Sequence, residues 1–245
     1  MNPLIVIPSR LKATRLPNKP LALIAGEPMI AHVWRRAVSA GVGPVVVAAG
    51  DQEIVDIITG LGGSAVLTDP ALPSGSDRVH AAAEKVDPDH DFDVIINLQG
   101  DLPTLDPAIL QAVLKPLAVP AVDIATLANE FHDETDARND ADVKIVLALR
   151  DHDTLGRCLY FSREPVPWGE ARRWHHIGIY AYRRTSLARF ITLPVHPLEE
   201  AEKLEQLRAL ADGMRIDAAI VHSTPFGVDT PADLEKARAV IGKSN

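Results

Sequence analysis

The segment Phe92-Asp-Val-Ile-Ile-Asn-Leu-Gln-Gly-Asp101 runs from a continuous apolar stretch into an abrupt polar exit. Val94-Ile-Ile96 shows no polar alternation, which suits a strand covered on both faces, as in a parallel α/β sheet. Gly100 permits a tight turn, and Asp101 then projects from the carboxyl edge of the strand. Asp106-Pro107 follows as a helix start, with Asp as cap and Pro in the first turn.

Toward the N-terminus the same grammar repeats. Leu4-Ile-Val-Ile7, Pro44 to Ala49 and Ser64 to Thr68 read as buried strands. Between them, Ile30, Val33, Trp34, Ala37 and Val38 recur at helical spacing after Pro28 and stop at Gly41. Ile54, Val55, Ile58 and Leu61 mark a second helix, ended by Gly62-Gly63, and Ser76 is the expected cap of a third through about Val86. Strands separated by helices imply right-handed βαβ units and a mainly parallel, doubly wound sheet. The second half is less regular. Residues 123–129, 143–149, 157–161 and 175–183 read as strands that include a small antiparallel excursion. A helix over 199–213 turns Leu204, Leu207 and Leu210 inward, a strand covers 215–222, and Thr230-Pro231 opens the last helix. No linker or repeat interrupts the chain. The expectation is one α/β domain over 1–245, with an irregular subregion about 130–185 and a polar loop over 129–142.

At 245 residues the chain buries roughly three quarters of its unfolded surface, enough for a core without disulfides. One cysteine, Cys158, rules out an internal disulfide and suits a reducing compartment. Neither a signal peptide nor a membrane-length apolar run is present, so a cytoplasmic protein is expected. The formal net charge of −8 disfavours nucleic acid and anionic membranes as partners. Trp34, Trp168 and Trp174 read as core or interface residues, and Cys158 as a small buried hydrophobe.

Against that acidic background, Arg10, Lys12, Arg15 and Lys19 fall within ten residues with no acid between them. They lie on the loop after the first strand, where open α/β sheets bind ligands. Lys and Arg on such a loop suit phosphate, small Ser9 and Ala13 allow close backbone approach, and Pro8, Pro17 and Pro20 stiffen the loop. The loop has neither the Walker pattern nor the Gly-x-Gly-x-x-Gly fingerprint. Asp101 and Asp229, from distant segments, can share one Mg²⁺ beside phosphate oxygens. Asp229 also sits beside a helix start, which it can simply stabilise.

Several motifs together give a resemblance. They are Pro8-Ser-Arg10 with Thr14-Arg-Leu-Pro-Asn-Lys-Pro-Leu21, Pro28-Met-Ile30, Ser74-Gly-Ser-Asp-Arg78, Gln99-Gly-Asp101, Val143-Lys-Ile145 and Tyr160-Phe-Ser-Arg163. His176-Ile-Gly-Ile-Tyr180, Leu204-Glu-Gln-Leu-Arg208 and Gly227-Val-Asp-Thr-Pro231 complete the set. Almost end to end, the chain resembles the 3-deoxy-manno-octulosonate (Kdo) cytidylyltransferases. The resemblance implies a nucleotidyltransferase-type, Rossmann-like α/β fold and a homodimer. It also implies transfer of CMP from CTP to Kdo with Mg²⁺, in lipopolysaccharide synthesis. Arg10 and Lys19 match positions at the CTP phosphates with Arg15 as their neighbour, and Ser74 and Gly75 match the loop near the nucleotide. Asp101 and Asp229 match the metal carboxylates, which with Arg10 and Lys19 make up the catalytic set. Arg78, Gln99, His176, Tyr180, Glu205 and Gln206 match the sugar-acid pocket.

The residues themselves leave alternatives. A buried His–Tyr pair in a core has the spacing of His176 and Tyr180, and Glu205 and Gln206 fit exposed helix positions. The chain departs from the family pattern at Leu102, where Glu is usual, at Gly50 in Ala48-Ala-Gly-Asp51, where Thr is usual, and in a short segment from Trp168 to His175. Two other functions stay open: cytidylyl transfer to a related acid such as 8-amino-Kdo or a nonulosonate, and a nucleotide-binding module without catalysis.

Overall fold

The structure, a computed structural model, describes residues 1–12, 16–223 and 225–242. In chain order the first half contains β1 (Pro3–Ser9), β2 (Leu23–Ile24), β3 (Glu27–Pro28), α1 (Met29–Ser39), β4 (Val45–Ala49), α2 (Gln52–Gly60), β5 (Ser64–Leu67), α3 (Gly75–Val86), β6 (Val94–Asn97) and α4 (Ala108–Ala112). Then come β7 (Ile124–Glu130), α5 (Glu134–Ala137), β8 (Lys144–Ala148), β9 (Leu155–Ser162), β10 (Trp174–Arg183), α6 (Arg184–Thr192), α7 (Pro197–Glu202), α8 (Gln206–Ala211), β11 (Ile216–Ile220) and α9 (Pro231–Gly242). Among the described residues no helix is long and apolar enough to cross a membrane. The chain is α/β and divides into two compact units, residues 1–110 with 225–245, and residues 111–224.

In the first unit the strands run in the order β5-β4-β1-β6, all parallel. Ile5 lies between Val45 of β4 and Ile96 of β6. β4 and β6 are buried along their whole length and β1 almost so, as their unbroken apolar runs require. The loops that follow β1 and β6 therefore leave the same edge. A short hairpin, β2–β3, and the C-terminal helix α9 share a cluster of Ile24, Met29, Val228, Leu234, Ala237 and Ile241. Burying one such aliphatic side chain contributes roughly 1.5–3 kcal/mol. This cluster anchors the chain on either side of Asp229 and Lys19. Thr230 and Asp233 cap α9 reciprocally: Thr230 N donates to Asp233 Oδ2 at 3.0 Å, and Asp233 N to Thr230 Oγ1 at 3.2 Å.

In the second unit the order is β10-β7-β11-β9-β8, and β8 also pairs with β10, closing a five-stranded ring. β7 and β11 are parallel, and the other neighbours are antiparallel. The expected antiparallel excursion is thus a whole ring rather than a small departure. Two local expectations need correction, and a third narrows. Ser74, not Ser76, caps α3, because its hydroxyl accepts from Asp77 N while Ser76 is buried inside the helix. The helix expected over 199–213 is two helices, α7 and α8, because Lys203 adopts a left-handed conformation at φ 57°. Of the core and interface readings of Trp168, its exposure of 97% leaves the interface one.

Candidate active site

Lys19 opens a single 3₁₀ turn, Lys19–Leu21, on the loop after β1. Its Nζ donates to Asp101 Oδ2 at 2.8 Å and to Asp229 Oδ1 at 2.9 Å. The three residues are distant in sequence, and backbone contacts hold them together. Val228 N donates to Asp101 O at 3.0 Å, tying the end of the chain to the loop after β6. A Cβ on Gly100 would stand 2.8 Å from the Pro8 carbonyl oxygen. Backbone cannot give way there, so only glycine lets the loops after β1 and β6 approach this closely. Burial opposes the charge on Lys19, but Asp101 and then Asp229 outweigh it, so its pKa is raised above the ordinary lysine value. α9 is capped by Thr230 and Asp233, and the Asp229 carboxylate accepts from Lys19.

The cluster opens on a cavity of about 620 Å³. Arg10, Lys12, Lys19 and Arg78 supply positive charge, with Ser74, Gly75, Gln99, Gly100, Asp101 and Asp229 around them. Arg15 lies outside the described residues. Arg78 is buried, and its guanidinium donates to Thr68 Oγ1 and, at 3.2 Å, to Asp69 O. Burial and then the charge on Arg10 lower its pKa. An arginine stays charged through such a shift, so two like charges are held side by side and an anion between them is favoured. A Cβ on Gly50 would lie 3.0 Å from Arg10 Cβ and 3.1 Å from an Arg78 nitrogen, so glycine leaves room for this pairing. Asp51, given no role from the sequence, accepts from Leu11 N at 2.8 Å and pins the start of the basic loop. Its signal was available: like Asp101, it is an acid just past the carboxyl end of an apolar strand. Leu102 is 7% exposed and does not line the cavity, so the loss of a carboxylate there leaves Asp101 and Asp229 in place.

In the second unit β10 presents His176 and Tyr180 on one face, with ring centroids 5.4 Å apart. His176 is buried, edge-on to Phe161 at 4.9 Å. Its Nε2 lies 3.0 Å from Thr126 Oγ1, which also lies 3.2 Å from the Ile177 carbonyl oxygen and 3.0 Å from that of Ile179. Burial and then the neighbouring His175 push the His176 pKa down to about 3, so the ring is neutral at pH 7. Burial, then Tyr182 and Glu205, raise the Tyr180 pKa well above 10, so Tyr180 remains a phenol and Glu205 lies close to it. Gln206 is buried at the start of α8, and its Nε2 has no hydrogen-bond partner among the described residues. The exposed position that its helix pattern allowed is not where it lies. Cys158 is buried, and burial followed by Asp217 raises its thiol pKa, which leaves it inert.

The family model described as Cytidylyltransferase matches residues 4–216. A protein of Paramagnetospirillum magneticum named 3-deoxy-manno-octulosonate cytidylyltransferase is 59% identical over 241 residues, 98% of each chain. One of the same name from Methylobacterium radiotolerans is 59% identical over 240 residues, 98% of this chain and 97% of its own. Among solved structures, CMP:2-keto-3-deoxy-manno-octonic acid synthetase complexed with CTP matches with a TM-score of 0.92 and 40% identity, over 100% of both chains. A cytidylyltransferase from Leptospira borgpetersenii shares the fold, with a TM-score of 0.63 at 16% identity over 99% of this chain and 87% of its own.

Proposed function

The chain belongs to the cytidylyltransferase family, among the 3-deoxy-manno-octulosonate cytidylyltransferases, and from that premise we propose that it transfers CMP from CTP to Kdo and releases pyrophosphate. The observation that carries this reading is the cavity in which Lys19 joins Asp101 and Asp229 beside Arg10 and Arg78. A hydroxyl of Kdo attacks the α-phosphorus of CTP, the bond from that phosphorus to the β-phosphate oxygen breaks, and the hydroxyl proton is lost. Arg10 and Lys19 hold the phosphates, with Arg15 on the same loop. Ser74 and Gly75 flank the nucleotide. Lys19 offsets one of the two carboxylate charges, which would otherwise both repel an incoming triphosphate. The chain acts chiefly by positioning and fixed charge.

Asp101 and Asp229 are the residues that would hold Mg²⁺. One ammonium nitrogen reaches both carboxylates at 2.8 and 2.9 Å, so a single small cation suits the pair. Hard oxygen donors, one or two carboxylates beside phosphate, are the set this ion prefers. When bound, the ion neutralises phosphate charge as a Lewis acid. Arg78, Gln99, His176, Tyr180, Glu205 and Gln206 serve the sugar acid. Neutral His176 and un-ionised Tyr180 do so as hydrogen-bonding groups rather than as proton carriers at pH 7. We further propose a cytoplasmic homodimer that feeds lipopolysaccharide synthesis. The mainly parallel, doubly wound character of the first unit supports the nucleotidyltransferase reading. The test is pyrophosphate release from CTP with a panel of sugar acids. Release with Kdo above all others is expected, and release with a different acid alone overturns the acceptor.

A further inference from the structure

We infer that the Glu199–Arg208 ion pair is a positioning device for the sugar acid, fixing the corner between α7 and α8 so that the buried Gln206 amide is presented to the acceptor. The inference rests on the reading of Gln206 as an acceptor contact. Gln206 is 7% exposed, and its Nε2 is buried with no hydrogen-bond partner among the described residues. Native structures rarely leave a buried amide donor unpaired, because the desolvation cost is not recovered. A donor held in that state suits a ligand rich in acceptor oxygens, and the carboxylate and hydroxyls of a sugar acid are such oxygens.

Where Gln206 sits is decided by the turn that precedes it. Lys203 is left-handed at φ 57° and ψ 41°, Leu204 N returns to Glu199 O at 3.3 Å, and α8 starts at Gln206. A side chain in the left-handed region costs energy and persists only where surrounding contacts enforce it. Arg208 supplies the enforcement. Its Nε and Nη2 donate to Glu199 Oε2 and Oε1 at 2.6 and 2.5 Å, a two-point clamp between the helices. Nη1 reaches Leu193 O at 3.3 Å, and the guanidinium lies 5.7 Å from the centroid of the Phe190 ring. The two side chains are 13% and 14% exposed, so solvent screens the pair little. At the far end of α7, Glu202 accepts from Ser162 Oγ and Arg163 N, each at 2.8 Å. α7 is therefore fixed to β9 at its end, and Arg208 transmits that fixed position to α8, two residues beyond Gln206.

A residue that only supports the fold would alter both substrates alike when weakened. A residue that positions Gln206 alters the acid alone. Steady-state constants for Kdo and CTP are measured separately in Arg208→Lys, Glu199→Gln and Gln206→Ala, with a melting curve for each. Arg208→Lys keeps the charge but loses the fork. The expectation for Arg208→Lys and Glu199→Gln is a rise in the Kdo KM on the order of tenfold, with the CTP KM changed by no more than about twofold. If Arg208→Lys melts below the assay temperature, Glu199→Gln, of nearly the same shape, carries the same test. An unchanged Kdo KM in these folded variants, while Gln206→Ala raises it, overturns the inference and leaves the Gln206 reading standing. A Gln206→Ala variant with normal Kdo KM overturns that reading and the inference with it. Equal losses for both substrates also overturn the inference.

Discussion

The two units solve recognition with opposite electrostatics. In the first, Lys19 pairs with Asp101 and Asp229 at the cavity, and their attraction holds the lysine pKa up. In the second, His176 and Tyr180 are pressed by burial into their neutral forms. On the proposed function, the contrast fits the chemistry of the two substrates. A triphosphate brings several negative charges, which fixed cations recognise at long range. A sugar is distinguished by the directions of its oxygens, and neutral hydrogen-bonding groups in a dry setting read direction better than charge does.

That contrast can be broken at its charged end with the largest effect. Lys19→Met leaves Asp101 and Asp229 facing each other without a cation. Turnover with CTP and Kdo is expected to fall about a hundredfold or more, with the fold retained by circular dichroism. Turnover within a fewfold of normal would remove Lys19 from the mechanism.

At the neutral end the expected effect is on stability. The folded pKa of His176 is about 3, against an unfolded value near 6.5. Between those values the unfolded chain binds the extra proton, so stability is fully present above about pH 6.5 and declines as pH falls toward 3. Lowering pH from 7 to 5 should cost about 2 kcal/mol through this group. His176→Gln, which cannot titrate, should lose that part of the acid slope in urea titrations at the two pH values. An identical slope in the variant would show that His176 titrates normally.

Smallest is the expected effect on stability of a change at Ser74, which caps α3 and also lines the cavity. Ser74→Ala removes the cap of α3, where Ser74 Oγ accepts from Asp77 N at 3.2 Å. The cost is expected at about 1 kcal/mol, or roughly 2–4 °C in Tm. A loss of several kcal/mol would mean that the residue does more than cap.

The parallel strands of the first unit were legible because a strand buried on both faces must be apolar throughout, as Val94 to Ile96 and Leu4 to Ile7 are. The convergence of Lys19, Asp101 and Asp229 was not legible from spacing, since the partners lie 82 and 210 residues from the lysine. The family motifs, not local pattern, brought them together. The break at Lys203 was hidden because Leu204, Leu207 and Leu210 continue a helical period and the left-handed residue is not a glycine. α6 was overlooked because Arg184 and Ser186 interrupt its buried face beside Leu187 and Phe190. Ser74, by contrast, had a readable signal, an acid three residues on at Asp77 that Ser76 lacks. Asp51 had a signal in its place just past an apolar strand, although its partner, a backbone N–H, is not named by any side-chain pattern.

The most direct test of the charged site is pyrophosphate release by Asp101→Asn at saturating CTP and Kdo, beside the unaltered protein. Asn keeps the shape of the side chain but removes one of the two charges gathered around Lys19. Turnover is expected to fall by about two orders of magnitude or more with the fold intact. Near-normal turnover in a folded Asp101→Asn protein would contradict the assignment of Asp101 and Asp229 as the carboxylates of the reaction.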